Sequence, residues 1–491
     1  MVKCMQQNQT KTFSAPFWVV WGIEFWERFG FYGVQAIIVL YFVKHIGLSE
    51  KEAIYLMGSF SALMYGFVWL GGYLGDKIIG AKRSIILGSV ILASSYMSFS
   101  IANESSLYYS LAGIIVGNAI FKANPSSLIS KMFSKGDGRL DGAMTMYYMA
   151  VNIGSLVSMA LTPVISDAYG YQYGFLVCSL GLLAGLVSFF LLYSKMDSVY
   201  TEAGKNPLDI KKFLITIAVS FSAFMIIANI LDEIHVCLTI TIFVVILATA
   251  YYLYIAFTSS SYERNRMLVA LVLIVEAVVF FSMYSQQPTS LTLFAEHNIH
   301  MSIFGWEIPA AQYQMLNPFW IVALSPILAI FYAKTKYSHA TKFCFGMVMM
   351  VASYTFLYAT KYFADDGMVS GGWLVASYAA SSLGELLISG LGLAMVAELC
   401  PAAISGFVMG FWYITNMVSS YLAAWIGSFI AAPDDVVLTA QQSLDTYTDV
   451  FGKIAIVVTI ITVFMFILVP ILNKYIKSVD VLEDHKIDPS V

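Results

Sequence analysis

Val20-Trp21-Gly22-Ile23-Glu24-Phe25-Trp26-Glu27-Arg28-Phe29 carries three charges in one turn of an otherwise apolar stretch. The spacing i, i+3, i+4 places Glu24, Glu27 and Arg28 on one face of a helix. The surrounding run, about Phe17 to Val43, is long and greasy enough to span a bilayer. A charge at mid-membrane costs about 2.5–3.5 kcal/mol on insertion scales. Three together must face a polar interior, and such a turn reads by default as a pathway for ions or charged solutes.

Outward from this turn the whole chain has the same character. Of 491 residues, 59% are hydrophobic and 11% charged, against roughly 25% charged in soluble domains. Apolar runs long enough to cross a membrane recur from end to end, which indicates a polytopic all-α membrane protein. The first dozen residues are polar and the first span is too long for a signal-peptide core, so no cleavable signal is expected. Cys4, Cys178, Cys237, Cys344 and Cys400 form no disulfide framework and no metal-ligand spacing.

Fourteen spans are expected, centred at about residues 30, 64, 92, 119, 153, 182, 221, 247, 279, 323, 350, 385, 416 and 462. With the N-terminus placed inside, twenty lysines and arginines fall in inside connectors and tails. Four (Lys44, Lys51, Lys361, Lys453) fall outside, and Arg28 and Lys122 lie within spans, which accounts for all 26. That bias predicts both termini on the cytoplasmic side. The outside connectors are acidic instead, with Asp232, Glu233, Glu296, Asp365, Asp366, Asp434 and Asp435.

Fourteen parses as six, two, six. The connector Gly71-Gly72-Tyr73-Leu74-Gly75-Asp76-Lys77-Ile78-Ile79-Gly80-Ala81-Lys82-Arg83 joins spans two and three. Its glycines allow close helix approach; its Asp can cap a neighbouring helix, and its basic cluster anchors the inner face. The pattern resembles the cytoplasmic loop motif of the major facilitator superfamily, whose members pair two six-helix bundles around a midplane site. The expected division is a first bundle at 14–195, an inserted helix pair at 209–258 and a second bundle at 264–476.

Numbering the bundle helices 1–12 without the inserted pair, four carry charges at membrane depth. These are Glu24, Glu27 and Arg28 on helix 1, Lys122 on helix 4, Glu276 on helix 7 and Glu385 on helix 10. The first-bundle group sums to zero when fully ionised. Protonating one Glu leaves it at +1, which would draw in a carboxylate and so couple proton to anion entry. The plainer reading is an ion-pair network tying helices 1 and 4 together, but buried pairs stabilise poorly relative to apolar packing. Glu385 has no basic partner in its own half; it suits a substrate ammonium, or it is a protonated acid bonded to a backbone carbonyl. For Glu276 a structural role is favoured. Asn152 and Asn317 need partners, either another helix or a peptide amide. Trp412 and Tyr65 read equally as pocket walls or as packing.

Taken together these residues resemble the proton-coupled oligopeptide transporter family. Glu24 to Tyr32 is similar to its Glu-x-x-Glu-Arg-Phe-x-Tyr-Tyr motif, and Phe121-Lys122-Ala123-Asn124-Pro125 to its helix 4 lysine segment. Tyr147 to Ser155 is similar to its Phe-Tyr-x-x-Ile-Asn-x-Gly-Ser signature, and Gly384-Glu385 resembles its helix 10 acid. The inserted pair and Tyr284-Ser285-Gln286-Gln287-Pro288-Thr289-Ser290 are most similar to the bacterial dipeptide and tripeptide permeases. The resemblance implies that Glu24 and Glu27 handle protons, with Arg28 and Lys122 as partners that also receive the peptide carboxylate. Glu385, aided by Asn317, would bind the peptide ammonium. Asn152, Tyr32 and Tyr65 would contact its backbone or termini, and Trp412 and Phe281 would line side-chain pockets.

Three departures stand out. Phe31 removes one hydroxyl of the helix 1 tyrosine pair. Gln35 and Ser285 stand where other members pair an Arg and an acid between helices 1 and 7. Gly58 occupies the place of the helix 2 histidine of animal members. The resemblance thus implies a proton-driven importer of dipeptides and tripeptides in a bacterial inner membrane. It would act by alternating access as a monomer bathed in lipid, with no cofactor, metal or nucleic acid. A relative moving nitrate or a drug is the same-class alternative, though acid and base poised for opposite peptide ends favour a zwitterion. Tails of about 13 and about 15 residues argue against a sensor. An enzyme or ATP-driven pump is not expected, because no Walker loop, His-Glu-x-x-His or nucleophile–base pair is found.

Overall fold

The computed structural model describes residues 13–134, 137–303, 306–335, 337–401, 404–431 and 438–477. Among them every expected span centre falls in a helix. The first half contains α1 (Ala15–Tyr41), α2 (Glu50–Gly66), α3 (Val68–Tyr73), α4 (Ala81–Phe99), α5 (Glu104–Phe121), α6 (Asn124–Lys131), α7 (Arg139–Tyr169) and α8 (Tyr171–Leu191). Next come α9 (Ile210–Asp232) and α10 (Ile234–Thr258). The second half contains α11 (Ser261–Tyr284), α12 (Ser290–Asn298), α13 (Leu316–Lys334), α14 (His339–Ala359), α15 (Gly372–Leu399), α16 (Ser405–Gly427) and α17 (Ala440–Lys477). Short α3 continues α2, and α6 continues α5.

Ten of these spans are long and apolar enough to cross a membrane by themselves. Helices α4, α5, α15 and α16 are not among the ten. The first two are short and serine- or glycine-bearing, so packing against neighbours supplies what their own hydropathy lacks. Helix starts follow local chemistry. Ser49 with Glu52, Asn103 with Ser106 and Ser260 with Glu263 form reciprocal capping boxes at α2, α5 and α11.

In the first half α1 lies against α7 and α8, and α4 against α5 and α8. In the second, α14 packs on α15 and α17, and α11 on α16. The inserted pair divides its contacts: α9 rests on α5, whereas α10 reaches α11, α16 and α2. Its outer faces, with Phe221, Phe243 and Ile246, are exposed, as a lipid-facing surface should be.

The Gly71–Arg83 connector earns its composition at close range. A Cβ at Gly71 would strike the Ala119 carbonyl, and one at Gly75 would strike the Asn124 side chain. Gly80 has φ +90° and lies against Gly204, a combination that only glycine adopts without strain. Lys82 Nζ donates to Met196 O at 2.9 Å and Arg83 to Asn206 O at 2.9 Å, tying the connector to the segment after α8. Asp76 meets α6 through the Ser127 hydroxyl at 3.2 Å, a side-chain contact in place of the expected helix cap.

The sequence pattern did not indicate the small sheets at the opposite, acidic end. Ile299–His300 pairs in parallel with Val369–Ser370, and Ser302–Ile303 pairs antiparallel with Trp306–Glu307. They close the connectors around α12 and α15.

Candidate functional site

The charged turn of α1 is sealed on all sides. Arg28 Nε lies 2.9 Å from Glu24 Oε1 and 2.6 Å from Glu27 Oε2, with all three side chains at most 5% exposed. These are ion-pair separations between groups with almost no contact with water. Helix α7 reaches the turn because Gly154 has no Cβ: one there would meet Phe25 O at 2.6 Å and Arg28 Cβ at 3.3 Å. The Ser158 hydroxyl of α7 donates to Phe29 O, fixing the register. Tyr147 and Tyr96 add hydroxyls within electrostatic reach of the carboxylates.

Lys122 was expected inside a span; it sits at the break between α5 and α6, as the C-cap of α5. Asn124-Pro125 explains the break, since Pro cannot donate to the helix ladder. Asn124 repairs it by donating to Ile120 O at 2.7 Å and Gly71 O at 3.2 Å. Lys122 Nζ lies 4.6 Å from the Tyr65 ring centroid. It shares the field of Glu24, Glu27 and Arg28.

The second half supplies the opposite pole. Asn317 Nδ2 donates to Glu385 Oε2 at 2.9 Å and to Ser382 Oγ at 3.1 Å, while the Tyr284 hydroxyl donates to Asn317 Oδ1 at 3.2 Å. Tyr32 and Tyr65 are each within electrostatic reach of both Arg28 and Glu385. They border a cavity of about 100 Å³ that Asn317, Tyr284, Gln35 and Ser285 also line. Sequence reading gave no role to Tyr284 or Ser382. The signal was there, because Ser382 precedes Glu385 by three residues on one helix face.

The other expected residues are placed less centrally. Asn152 donates to Tyr148 O at 2.8 Å, a bond within its own helix. Phe281 packs edge-on against Phe280 and Tyr284. Trp412 is buried against Gly392, where a Cβ would overlap its ring. Neither aromatic lines the cavity above. Gly384 similarly lets α15 approach Phe280 and the Gly346 carbonyl, so these glycines serve contact within an unbroken helix. Glu276 is 2% exposed, and among the described residues neither carboxyl oxygen has a hydrogen-bond partner.

Gln35 and Ser285 border the cavity, and contacts between the halves are made nearer the acidic end. Gln314 donates to Ala36 O at 3.0 Å and Gln312 to Ala160 O at 2.8 Å. Tyr55 bonds Ser428 at 3.2 Å. Lys44 pairs with Glu296 at 2.5 Å, and Glu50 with His297 at 2.5 Å. Gly58 lies in this seam: a Cβ there would meet Ala424 Cβ at 2.6 Å, so no larger side chain fits while this end is closed. Among the described residues no three of His, Cys, Asp and Glu gather as metal ligands.

Residues 81–445 match the model of the POT family. The chain is 42% identical over 480 residues to dipeptide and tripeptide permease B of Aliivibrio fischeri (strain MJ11), covering 96% of each chain. It is 43% identical over 474 residues to dipeptide and tripeptide permease A of Yersinia pestis, covering 94% of each. A crystal structure of tetrameric PepTSo2 superposes with a TM-score of 0.85 at 34% identity, covering 93% of this chain and 98% of that one. A structure described for substrate recognition in proton dependent oligopeptide transporters gives 0.83 at 35% identity, covering 94% and 99%. With a family model over most of its length and relatives this similar over nearly all of it, the chain belongs to the POT family.

Proposed function

We propose that the protein is a proton-coupled symporter that imports dipeptides and tripeptides across the bacterial inner membrane by alternating access. The observation that carries this reading is the pair of opposed poles. Tyr32 and Tyr65 each lie within electrostatic reach of Arg28 and of Glu385, and Lys122 lies over the Tyr65 ring. A short peptide is a zwitterion whose ends carry the complementary charges. Its carboxylate goes to Lys122 and Arg28, and its ammonium goes to Glu385, which Asn317 holds in place. Charged ends fix the ligand while Tyr32, Tyr65, Asn152, Phe281 and Trp412 meet its backbone and varied side chains.

Glu24 and Glu27 carry the proton. When one of them is neutralised, Arg28 and Lys122 outweigh the remaining carboxylate, and a peptide carboxylate becomes the favourable counter-ion. Residues 14–195 rock against 264–476, with the pair at 209–258 as spacer. Charge bias puts both termini in the cytoplasm and the acidic end outside. The seam of Gln312, Gln314, Tyr55, Lys44 and His297 then describes a state shut to the outside. One chain supplies the whole site, so a monomer suffices and no cofactor is required.

The test is uptake of labelled dialanine into proteoliposomes with and without an inward proton gradient. Accumulation that the gradient stimulates and unlabelled tripeptide competes away is the expected result. No uptake by folded protein would move the charged poles to another solute.

A further inference from the structure

The seam at the acidic end contains two ion pairs of different kinds. Each joins the first half to α12 of the second. Lys44, in the π-helical turn after α1, meets Glu296; Glu50, the first residue of α2, meets His297. A histidine changes its charge within the physiological range. His297 is 41% exposed at its side chain, so protons reach it from the outer solution. Glu50 is buried at 9% beneath it, so its charge has little water to lean on.

We infer that His297 is a second proton-responsive residue of the transport cycle, one that makes the outer closure stronger in acid. This inference rests on the alternating-access reading and on the outward placement of the acidic end. Glu50 of α2, Glu296 of α12 and Lys44 after α1 face the imidazole, and Tyr447 of α17 lies behind Glu50. Two carboxylates against one ammonium favour the imidazolium. The hydrogen bond to Glu50 raises the His297 pKa above its ordinary value, against the opposing effect of burial. The pair is therefore at full strength below the ordinary histidine range, near about 6.5. It fades as pH rises through the raised value, because the neutral ring loses its charge attraction to Glu50 and Glu296.

The consequence suits a proton-driven importer. An acidic exterior favours the state shut to the outside, and a less acidic exterior loosens that closure. Lys44–Glu296 and the Gln314–Ala36 bond contribute the rest of the closure.

The test reads conformation without peptide. Nitroxides are attached at cysteines replacing Tyr169 and Phe363, exposed residues near the acidic ends of the two halves. Cys4 is changed to Ser, and the native Cys178, Cys237, Cys344 and Cys400 are buried. The parent should shift toward the long, outward-open distance by roughly 5-fold in open-to-closed ratio between about pH 5.5 and about pH 8. His297→Gln should lose at least about half of that pH response, and His297→Lys should stay closed at both pH values. An unchanged pH response in His297→Gln, or opening of His297→Lys like the parent, would overturn the inference. Because no substrate is present, failure of the peptide-transport reading would leave this result interpretable.

Discussion

The two halves manage a buried charge in opposite ways. The first gathers Glu24, Glu27, Arg28 and Lys122 into one neutral cluster whose members balance each other. The second leaves its acids apart: Glu385 is met by the Asn317 amide and the Tyr284 hydroxyl but by no cation among the described residues, and Glu276 has no hydrogen-bond partner among them. A cluster can change its protonation and redistribute charge among its members. A lone acid can be neutralised only by a proton or by a cation that arrives from elsewhere. The difference supports the proposal that the first half handles the proton and the second recognises the ammonium.

The contrast breaks most sharply at Arg28. Arg28→Ala would leave two carboxylates buried without their cation, the situation in which removing one partner costs about 3–5 kcal/mol. Thermal unfolding in detergent should show a large loss, and Arg28→Ala combined with Glu27→Gln should recover much of it. If the double variant is no more stable than the single, the cluster is not balanced as described. Next comes Glu27→Gln, which keeps the shape and removes the titration. Gradient-driven accumulation should fall by about 100-fold, while peptide counterflow, which needs no net proton movement, should stay within about 3-fold. Equal loss of both activities would take Glu27 out of the coupling step.

In the second half, Glu385→Gln removes the charge but can still pair with Asn317. The apparent KM for dialanine should rise by roughly 10- to 30-fold, the scale of one lost charge-assisted hydrogen bond. An N-acetylated dipeptide, which has no ammonium, should lose that discrimination between parent and variant. An unchanged KM would mean that the second half does not read the amino end.

The charged turn was legible because three charges stand out against an apolar helix, and periodicity alone puts them on one face. Gly154 was legible only as part of a motif; its reason, room for the Phe25 carbonyl, appears once α7 lies on α1. Lys122 fell within a span on hydropathy, yet the adjoining Asn124-Pro125 already signalled the break beside it. The seam was not legible. Glu50 and His297 lie 247 residues apart, and Gln314 and Ala36 lie 278 apart. Their pairing depends on how two bundles meet, which no local pattern encodes. For the same reason the absence of a charged partner at Gln35 pointed to a missing gate without indicating where the closure is made.

Glu276 gives the smallest expected effect and the finest test of the contrast. Its carboxyl is packed inside the second half with neither oxygen bonded among the described residues, and it does not line the cavity bordered by Tyr32 and Tyr65. A permanently ionised carboxylate there would be very costly, and no described cation offsets it. If it stays protonated through the cycle, Glu276→Gln replaces one neutral polar group with another of the same shape. Uptake and its pH profile should then stay within about 2-fold of the parent, whereas Glu276→Ala should destabilise through the cavity it leaves. A Gln variant that shifts the pH profile while keeping the parent's stability would show a proton moving through the second half as well. The assignment of proton handling to the α1 cluster alone would then have to be given up.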